Sequence, residues 1–328
     1  MKWLWIIPDP GSFPSGGNVY NGHLLAALKE EGEEVVMTEW EGWKAHAMRW
    51  IPDWVVFDSI YLPQLDRVHL DVLLPVTTRS MLLVHHLASL EADQSGILAG
   101  ELSQLAKFDV LLVTSPFTQN YLTDHGVRNT IWVLEPPLLL LRGKTGAAQR
   151  ALQPYLLMVG NLIPRKGILD YLRGLSLTSA EIPVRIVIIG SMELEPEYAA
   201  ACKAIASSNE ILRDQVHFLG TVSHEEIPDW LQGAALFVSA SSMETFGIAI
   251  QEALASGVPV LCLQGGYAGK LVRQGIDGWV VDDMEALVAA TEQWWAGHLY
   301  VQDEQPSVER TSSSYQQLAE TLIRYSSR

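Results

Sequence analysis

Short, fully apolar runs alternate with longer stretches of helical period from one end of the chain to the other, and that alternation constrains the fold more than any other feature. Runs such as Trp3-Leu4-Trp5-Ile6-Ile7 and Met81-Leu82-Leu83-Val84 are apolar at every position. A strand written this way is buried on both faces, as in a parallel sheet covered by crossover helices. The pattern predicts strands over Lys2–Ile7, Glu34–Met37, Trp54–Phe57, Met81–Val84, Val110–Thr114 and Ile131–Leu134. Helical stretches lie between several of them, notably Val19–Glu31, Ile97–Phe108 and Phe117–Thr123. After an interruption the pattern restarts, with strands over Tyr155–Val159, Val184–Ile189, Val216–Leu219, Ala235–Val238, Val258–Leu263 and Gly278–Val281. The expected fold class is therefore α/β, with two doubly wound parallel domains.

The interruption places the boundary. Glu135-Pro136-Pro137 is followed by a leucine run and by residues 142–150, a polar, glycine-containing stretch without period. A chain of 328 residues suits two domains at roughly 100–200 residues each. We expect a first domain over residues 1–148, a second over 149–310, and a last segment, 311–328, whose helix (Ser314–Tyr325) returns to the first domain. Ser223-His224-Glu225-Glu226 reads as a capping box that opens a helix running to Gly233. Two doubly wound domains create a ligand cleft at the carboxyl ends of their sheets, so the functional residues are expected in strand-to-helix loops.

Charge and cysteine content narrow the chemistry. Lys+Arg 22 against Asp+Glu 38 gives a net charge of −16, shared as −6 over residues 1–150 and −10 over the rest. Such a surface repels phosphate backbones, so no nucleic-acid partner is expected. Cys202 and Cys262 are the two cysteines, without a CxxC, which leaves neither a disulfide framework nor a thiolate zinc site. The first apolar run is too short for a signal segment, and no stretch approaches the ~20 apolar residues of a transmembrane helix. The expected location is the cytoplasm.

Three glycine-bearing loops follow strands. The first, residues 8–18, contains Gly16-Gly17 and is either a tight turn or an anion-receiving loop ahead of a helix. It lacks the GxGxxG of a dinucleotide site. The second runs Val159-Gly160-Asn161-Leu162-Ile163-Pro164-Arg165-Lys166-Gly167. Two adjacent cations at a helix start oppose the helix dipole, and they read either as a solvated pair or as partners of a diphosphate. The third, Ser239 to Val260, carries Glu244 in the loop and Glu252 on the helix behind it, with Gly247 between. The two carboxylates can accept from sugar and ribose hydroxyls; alternatively Gln251 and Glu252 form a solvated helix face.

The Glu244-x7-Glu252 spacing, after Ser239-Ala240-Ser241-Ser242 and before Ala255-Ser256-Gly257-Val258-Pro259-Val260, closely resembles the donor site of retaining glycosyltransferases of the GT-B fold, family 4. Gly160…Arg165-Lys166-Gly167, Phe218-Leu219-Gly220 and Gly265-Gly266…Gly275…Gly278 fall in that family's order around it. Over residues 1–135 the resemblance rests on Gly16-Gly17 before a helix, His85-His86 after one strand and Ser115 after another. It implies two Rossmann-like domains with an interdomain cleft and a nucleoside diphosphate sugar as donor, with Lys166 and Arg165 on the diphosphate and Glu252 on the ribose. It places Glu244, with the backbone of Thr245, Phe246, Gly247 and Ile248, on the donor sugar and phosphate, and Gly16, Gly17, Gly160 and Asn161 around the same ligand. The activity implied is sugar transfer to a small-molecule, lipid-linked or glycan acceptor with retention of anomeric configuration. The chain contains no Asp-x-Asp, and neither a metal nor a cofactor is expected.

The chain departs from the family pattern at three places. Asn161 stands where many members have Arg, Gly269 where a Glu is common, and Asp58 where many present a His to the reaction centre. Asp58, His85 and His86 are the candidate acceptor pocket, with His86, Asp58 and Glu244 the candidate catalytic side chains. A sugar-nucleotide epimerase or hydrolase of the same fold, and a non-catalytic nucleotide-sugar-binding protein, are the alternative readings.

Overall fold

The computed structural model describes residues 1–9, 15–67, 70–91, 95–137, 154–178, 183–301 and 314–327. The interdomain stretch 142–150 and the polar segment 302–312 lie outside the described residues, as do residues 10–14 of the first glycine loop.

The chain divides into two compact units, Met1–Pro137 with Ser312–Arg328, and Leu138–Thr311. The first contains strands β1 (Lys2–Ile6), β2 (Glu34–Thr38), β3 (Trp54–Asp58), β4 (Arg79–Val84), β5 (Val110–Val113) and β6 (Thr130–Val133). Its helices are α1 (Gly16–Glu30), α2 (Trp43–Trp50), α3 (Leu70–Leu73), α4 (Ser95–Leu105) and α5 (Pro116–Asp124). The second holds β7 (Tyr155–Val159), β8 (Arg185–Ile189), β9 (Val216–Gly220), β10 (Ala234–Ser239), β11 (Val260–Leu263) and β12 (Gly278–Val281). Between and after them run α6 (Ile168–Ser176), α7 (Pro196–Ser208), α8 (Ile227–Gly233), α9 (Ile248–Ala255), α10 (Ala268–Leu271) and α11 (Met284–Trp295). The last helix, α12 (Tyr315–Ser326), belongs to the first unit.

Each unit is built on a six-stranded parallel sheet, ordered β2-β1-β3-β4-β5-β6 in the first and β12-β11-β10-β7-β8-β9 in the second. The central strands of the first sheet are buried beyond their first residues, while its edge strands β2 and β6 are half-buried to exposed along their length. That is why the central strands read as unbroken apolar runs. Trp3 of β1 stacks on Trp54 of β3 with centroids 5.9 Å apart, and Trp54 in turn meets Trp132 of β6. Helix α12 closes this unit: Tyr315 packs on Tyr20 and His23 of α1, Tyr325 lies against Trp132, and Gln316 donates to Glu30.

Strand order fixes where each sheet can receive a ligand. In a doubly wound sheet the crevice opens at the carboxyl edge where the winding reverses. In the first unit that point lies between β1 and β3, and in the second between β7 and β10. Of the three glycine loops singled out by sequence, the one after β1 borders the first point, beside Asp58 at the end of β3, and those after β7 and β10 border the second.

Candidate functional site

At the switch point of the second unit, the loop after β7 and the loop after β10 are locked together. Gly167 adopts φ +65 as the residue that ends the Pro164–Lys166 turn, and a Cβ built there would lie 2.1 Å from the Ala240 carbonyl oxygen. Only glycine combines that left-handed backbone with so close an approach. Ser242 N then donates to Arg165 O at 3.0 Å, and the Arg165 guanidinium donates from Nη1 to Met243 O at 2.8 Å. The turn brings Lys166 Nζ to within 2.5 Å of Glu244 Oε1, and both side chains are largely removed from solvent. Burial pushes the Glu244 carboxyl upward, but the Lys166 and Arg165 cations and hydrogen bonds from Lys166 and Ser241 outweigh it, so its pKa is held below the ordinary value. The solvated Arg-Lys alternative fails for Lys166: the two charges that sequence placed in separate loops form one pair.

The backbone of Glu244 is pinned from the other side. Tyr267 N donates to Glu244 O at 2.6 Å and Glu244 N donates to Gly265 O at 3.3 Å. A Cβ at Gly265 would lie 2.0 Å from Ser242 O, so this glycine loop can press directly on the loop after β10. Phe246 stacks on Tyr267, and Gly247, at φ +75, is the N-cap of α9, whose first amides have no acceptor within the helix. Asn161 is engaged in the scaffold: its Oδ1 accepts from Ser191 N at 3.0 Å, tying the loop after β7 to the loop after β8.

Helix α9 corrects the solvated-face alternative. Gln251 is buried, its Nε2 donating to Phe246 O at 3.2 Å, and only about a tenth of the Glu252 side chain is exposed. Glu252 Oε1 lies 2.7 Å from Nε2 of His224, a residue that sequence reading treated only as part of a capping box. The hydrogen bond to Glu252 raises the His224 pKa from its ordinary 6.5, against the lowering effect of burial. A histidine raised on folding contributes stability that is complete below about 6.5 and is lost as pH rises through the raised value. Urea unfolding from about pH 6 to about pH 9 is expected to show that loss in the wild type and not in His224→Gln; equal pH slopes in the two proteins would remove the pair from the stability of this unit.

In the first unit the switch point holds a second network. Asp58 is the last residue of β3 and buried, its Oδ2 accepting from Asn21 Nδ2 at 3.0 Å and its Oδ1 from Ile60 N at 2.9 Å. His85 Nε2 lies 2.9 Å from Asn21 Oδ1 and 3.7 Å from Asp58. Because Asn21 Nδ2 is spent on Asp58, its Oδ1 must accept, and the His85 tautomer is the one protonated at Nε2. Burial lowers the His85 pKa, with Asp58 opposing, so the ring is held toward its neutral form. Gly16 and Gly17 lie in the first turn of α1, capped by Ser15 Oγ accepting from Asn18 N, and not in the loop before the helix. A Cβ on Gly17 would come within 3.2 Å of the His85 ring. Ser59 Oγ accepts from the backbone N of both histidines, and His86 turns away to pair with Glu91 at 2.7 Å.

The structure thus gathers Arg165, Lys166 and Glu244 at one point, and Gly17, Asp58 and His85 at another, while His86 leaves its neighbour for Glu91. Asn21, Ser59 and His224 were missed by sequence reading. Each is an ordinary polar residue whose role depends on a contact distant in sequence. The capping box gave the only local signal, and it fixed the turn that carries His224.

Residues 147–302 match the model of the family described as Glycosyl transferases group 1. A GDP-mannose-dependent alpha-mannosyltransferase of Corynebacterium glutamicum is 36% identical over 137 residues, 41% of this chain and 30% of that protein. The chain spans less than half the length of the curated relatives it matches. Two solved structures share the fold over its full extent. A sucrose-phosphate synthase from Thermosynechococcus elongatus superposes with a TM-score of 0.79 at 19% identity, covering 99% of this chain and 98% of that one. Anabaena Alr3699/HepE, in complex with UDP-glucose, gives 0.78 at 16% identity over 99% of this chain and 100% of that one.

Proposed function

Because residues 147–302 match the model of the Glycosyl transferases group 1 family, we propose that the chain transfers a sugar from a nucleoside diphosphate sugar to an acceptor hydroxyl, with retention at the anomeric carbon and without a metal ion. The observation that carries the reading is the Lys166–Glu244 pair at the switch point of the second sheet. Donor binding exchanges its partners. The diphosphate takes the Lys166 ammonium, and Glu244, released, accepts from hydroxyls of the sugar. Arg165 and the first amides of α9 extend the same anion-receiving surface, and Glu252 takes the ribose. One relative above is named as GDP-mannose-dependent and one solved neighbour is described in complex with UDP-glucose, so the donor is proposed as a class and not as a single compound.

In the reaction the bond from the anomeric carbon to the diphosphate oxygen breaks, and its electron pair leaves on the phosphate. The acceptor oxygen bonds to the same carbon from the face the diphosphate vacates, and its proton passes to the departing phosphate oxygen. Charge grows on the leaving group, and preorganised cations and amides at that position lower the barrier most. Asp58 and His85 hold the carboxyl edge of the first sheet, and His86 is assigned to the acceptor.

The test is the anomeric configuration of the product by NMR, measured with and without EDTA. Retained configuration and undiminished turnover in chelator are expected. Inversion, or activity that is lost in EDTA and restored by Mg²⁺ or Mn²⁺, would sink the reading. Donor consumption without any acceptor would favour an epimerase or hydrolase instead.

A further inference from the structure

We propose that His224 is a positioning residue that makes Glu252 a selective reader of the ribose diol, so that the site discriminates ribonucleoside from deoxyribonucleoside diphosphates. The inference rests on the assignment of Glu252 to the ribose made above.

Two rigid elements carry the pair. His224 sits at the start of the turn after β9, and that turn is closed by Ser223 and Glu226, not by His224: Ser223 N and Oγ both donate to Glu226 Oε2 at 3.1 Å. On the other side, Ile250, Gln251, Ala253 and Leu254 are buried around Glu252, and the Gln251 hydrogen bond to Phe246 O sets the roll of α9. The contact at 2.7 Å therefore joins two fixed points through a flexible glutamate.

The bond leaves a defined remainder. His224 Nε2 donates to Oε1, while among the described residues nothing donates to Oε2, which is also not among the sealed and unsatisfied buried polar atoms. A carboxylate held by one oxygen keeps the second oxygen, and a free lone pair on the first, for two hydroxyls on adjacent carbons. Without the imidazole the glutamate samples several rotamers and must be ordered at each binding event, which weakens the diol contact specifically. Loss of one hydroxyl from the ligand removes part of that contact, and an ordered carboxylate registers the loss more sharply than a mobile one.

The experiment is isothermal calorimetry on the full chain with UDP, GDP and their 2′- and 3′-deoxy counterparts, for the wild type and for His224→Ala, His224→Gln and Glu252→Gln. The wild type is expected to prefer the ribonucleotides by about tenfold or more. His224→Ala should lose about tenfold in ribonucleotide affinity and nearly all of the preference, while its affinity for the deoxynucleotides stays within about twofold. His224→Gln, which keeps an N–H for Oε1, should retain most of the preference. Loss of selectivity in Glu252→Gln together with full selectivity in His224→Ala would overturn the positioning role and leave the ribose assignment standing. Wild-type selectivity in Glu252→Gln would overturn the ribose assignment itself, and the inference with it. A uniform loss of affinity for every nucleotide in His224→Ala, tracking a lower melting temperature, would mark a structural role and overturn the proposal. Absence of a ribonucleotide preference in the wild type, or of any binding, would overturn it as well.

Discussion

Replacing Lys166 by alanine is expected to lower kcat/KM by about two to three orders of magnitude, with kcat falling as well as donor affinity. The ammonium is placed to receive charge that is greater in the transition state than in the bound donor, and removal of such a contact slows the chemical step in addition to weakening binding. The same substitution removes the partner of Glu244, a carboxylate whose pKa is held down largely by the Lys166 and Arg165 charges. The two side chains are 22% and 13% exposed, so the loss of stability is set at about 1–3 kcal/mol and not at the cost of breaking a fully buried pair. Stability and turnover are then separable by a second change. Lys166→Met combined with Glu244→Gln leaves no uncompensated charge and should recover most of the melting temperature, while turnover stays low. A double variant that regains turnover, or a Lys166→Ala enzyme with wild-type kcat, would remove Lys166 from the leaving-group role.

Most of the fold was legible because the central strands are buried on both faces and therefore spell apolar residues at every position. β7 and β12 match their sequence-derived spans residue for residue. Where spans differ, local geometry accounts for it. β11 starts at Val260 and not Val258, because Gly257 takes a left-handed turn at φ +75 and Pro259 has no amide to give the ladder. α1 starts at Gly16 and not Val19, since Ser15 supplies a cap and the first helical turn needs no apolar face. The site was legible to the extent that its residues sit beside strand ends. Gly160, Lys166, Glu244 and Glu252 could be singled out one loop at a time. That Lys166 and Glu244 pair, or that His224 meets Glu252, could not be read from spacing, because these partners come together only when β10 docks beside β7 and α9 packs near the turn after β9. The family resemblance set both residues on one donor, and the oddity of two cations at a helix start pointed to an anion, but neither signal said that the protein itself supplies one.

The second large effect is expected at Asp58. Its two oxygens each accept from a donor, Asn21 Nδ2 and Ile60 N, and the side chain is sealed from water. Asp58→Asn is therefore not a conservative change: whichever way the new amide turns, its NH₂ faces an N–H, and one buried donor is left without an acceptor. The expected loss is about 2–4 kcal/mol, read from urea unfolding. His86→Ala, at a half-exposed pair with Glu91, should leave stability nearly unchanged and act on transfer instead. The network also specifies its own repair. If Asn21→Asp is added to Asp58→Asn, the amide at position 58 can donate to the new carboxylate and still accept from Ile60 N, while His85 Nε2 keeps an acceptor at position 21. The double variant should therefore be more stable than Asp58→Asn alone by about 1–2 kcal/mol. Additive losses in the double variant would show that Asn21 and Asp58 are not coupled. Full stability in Asp58→Asn with loss of transfer would return Asp58 to the acceptor-facing role first read from the sequence.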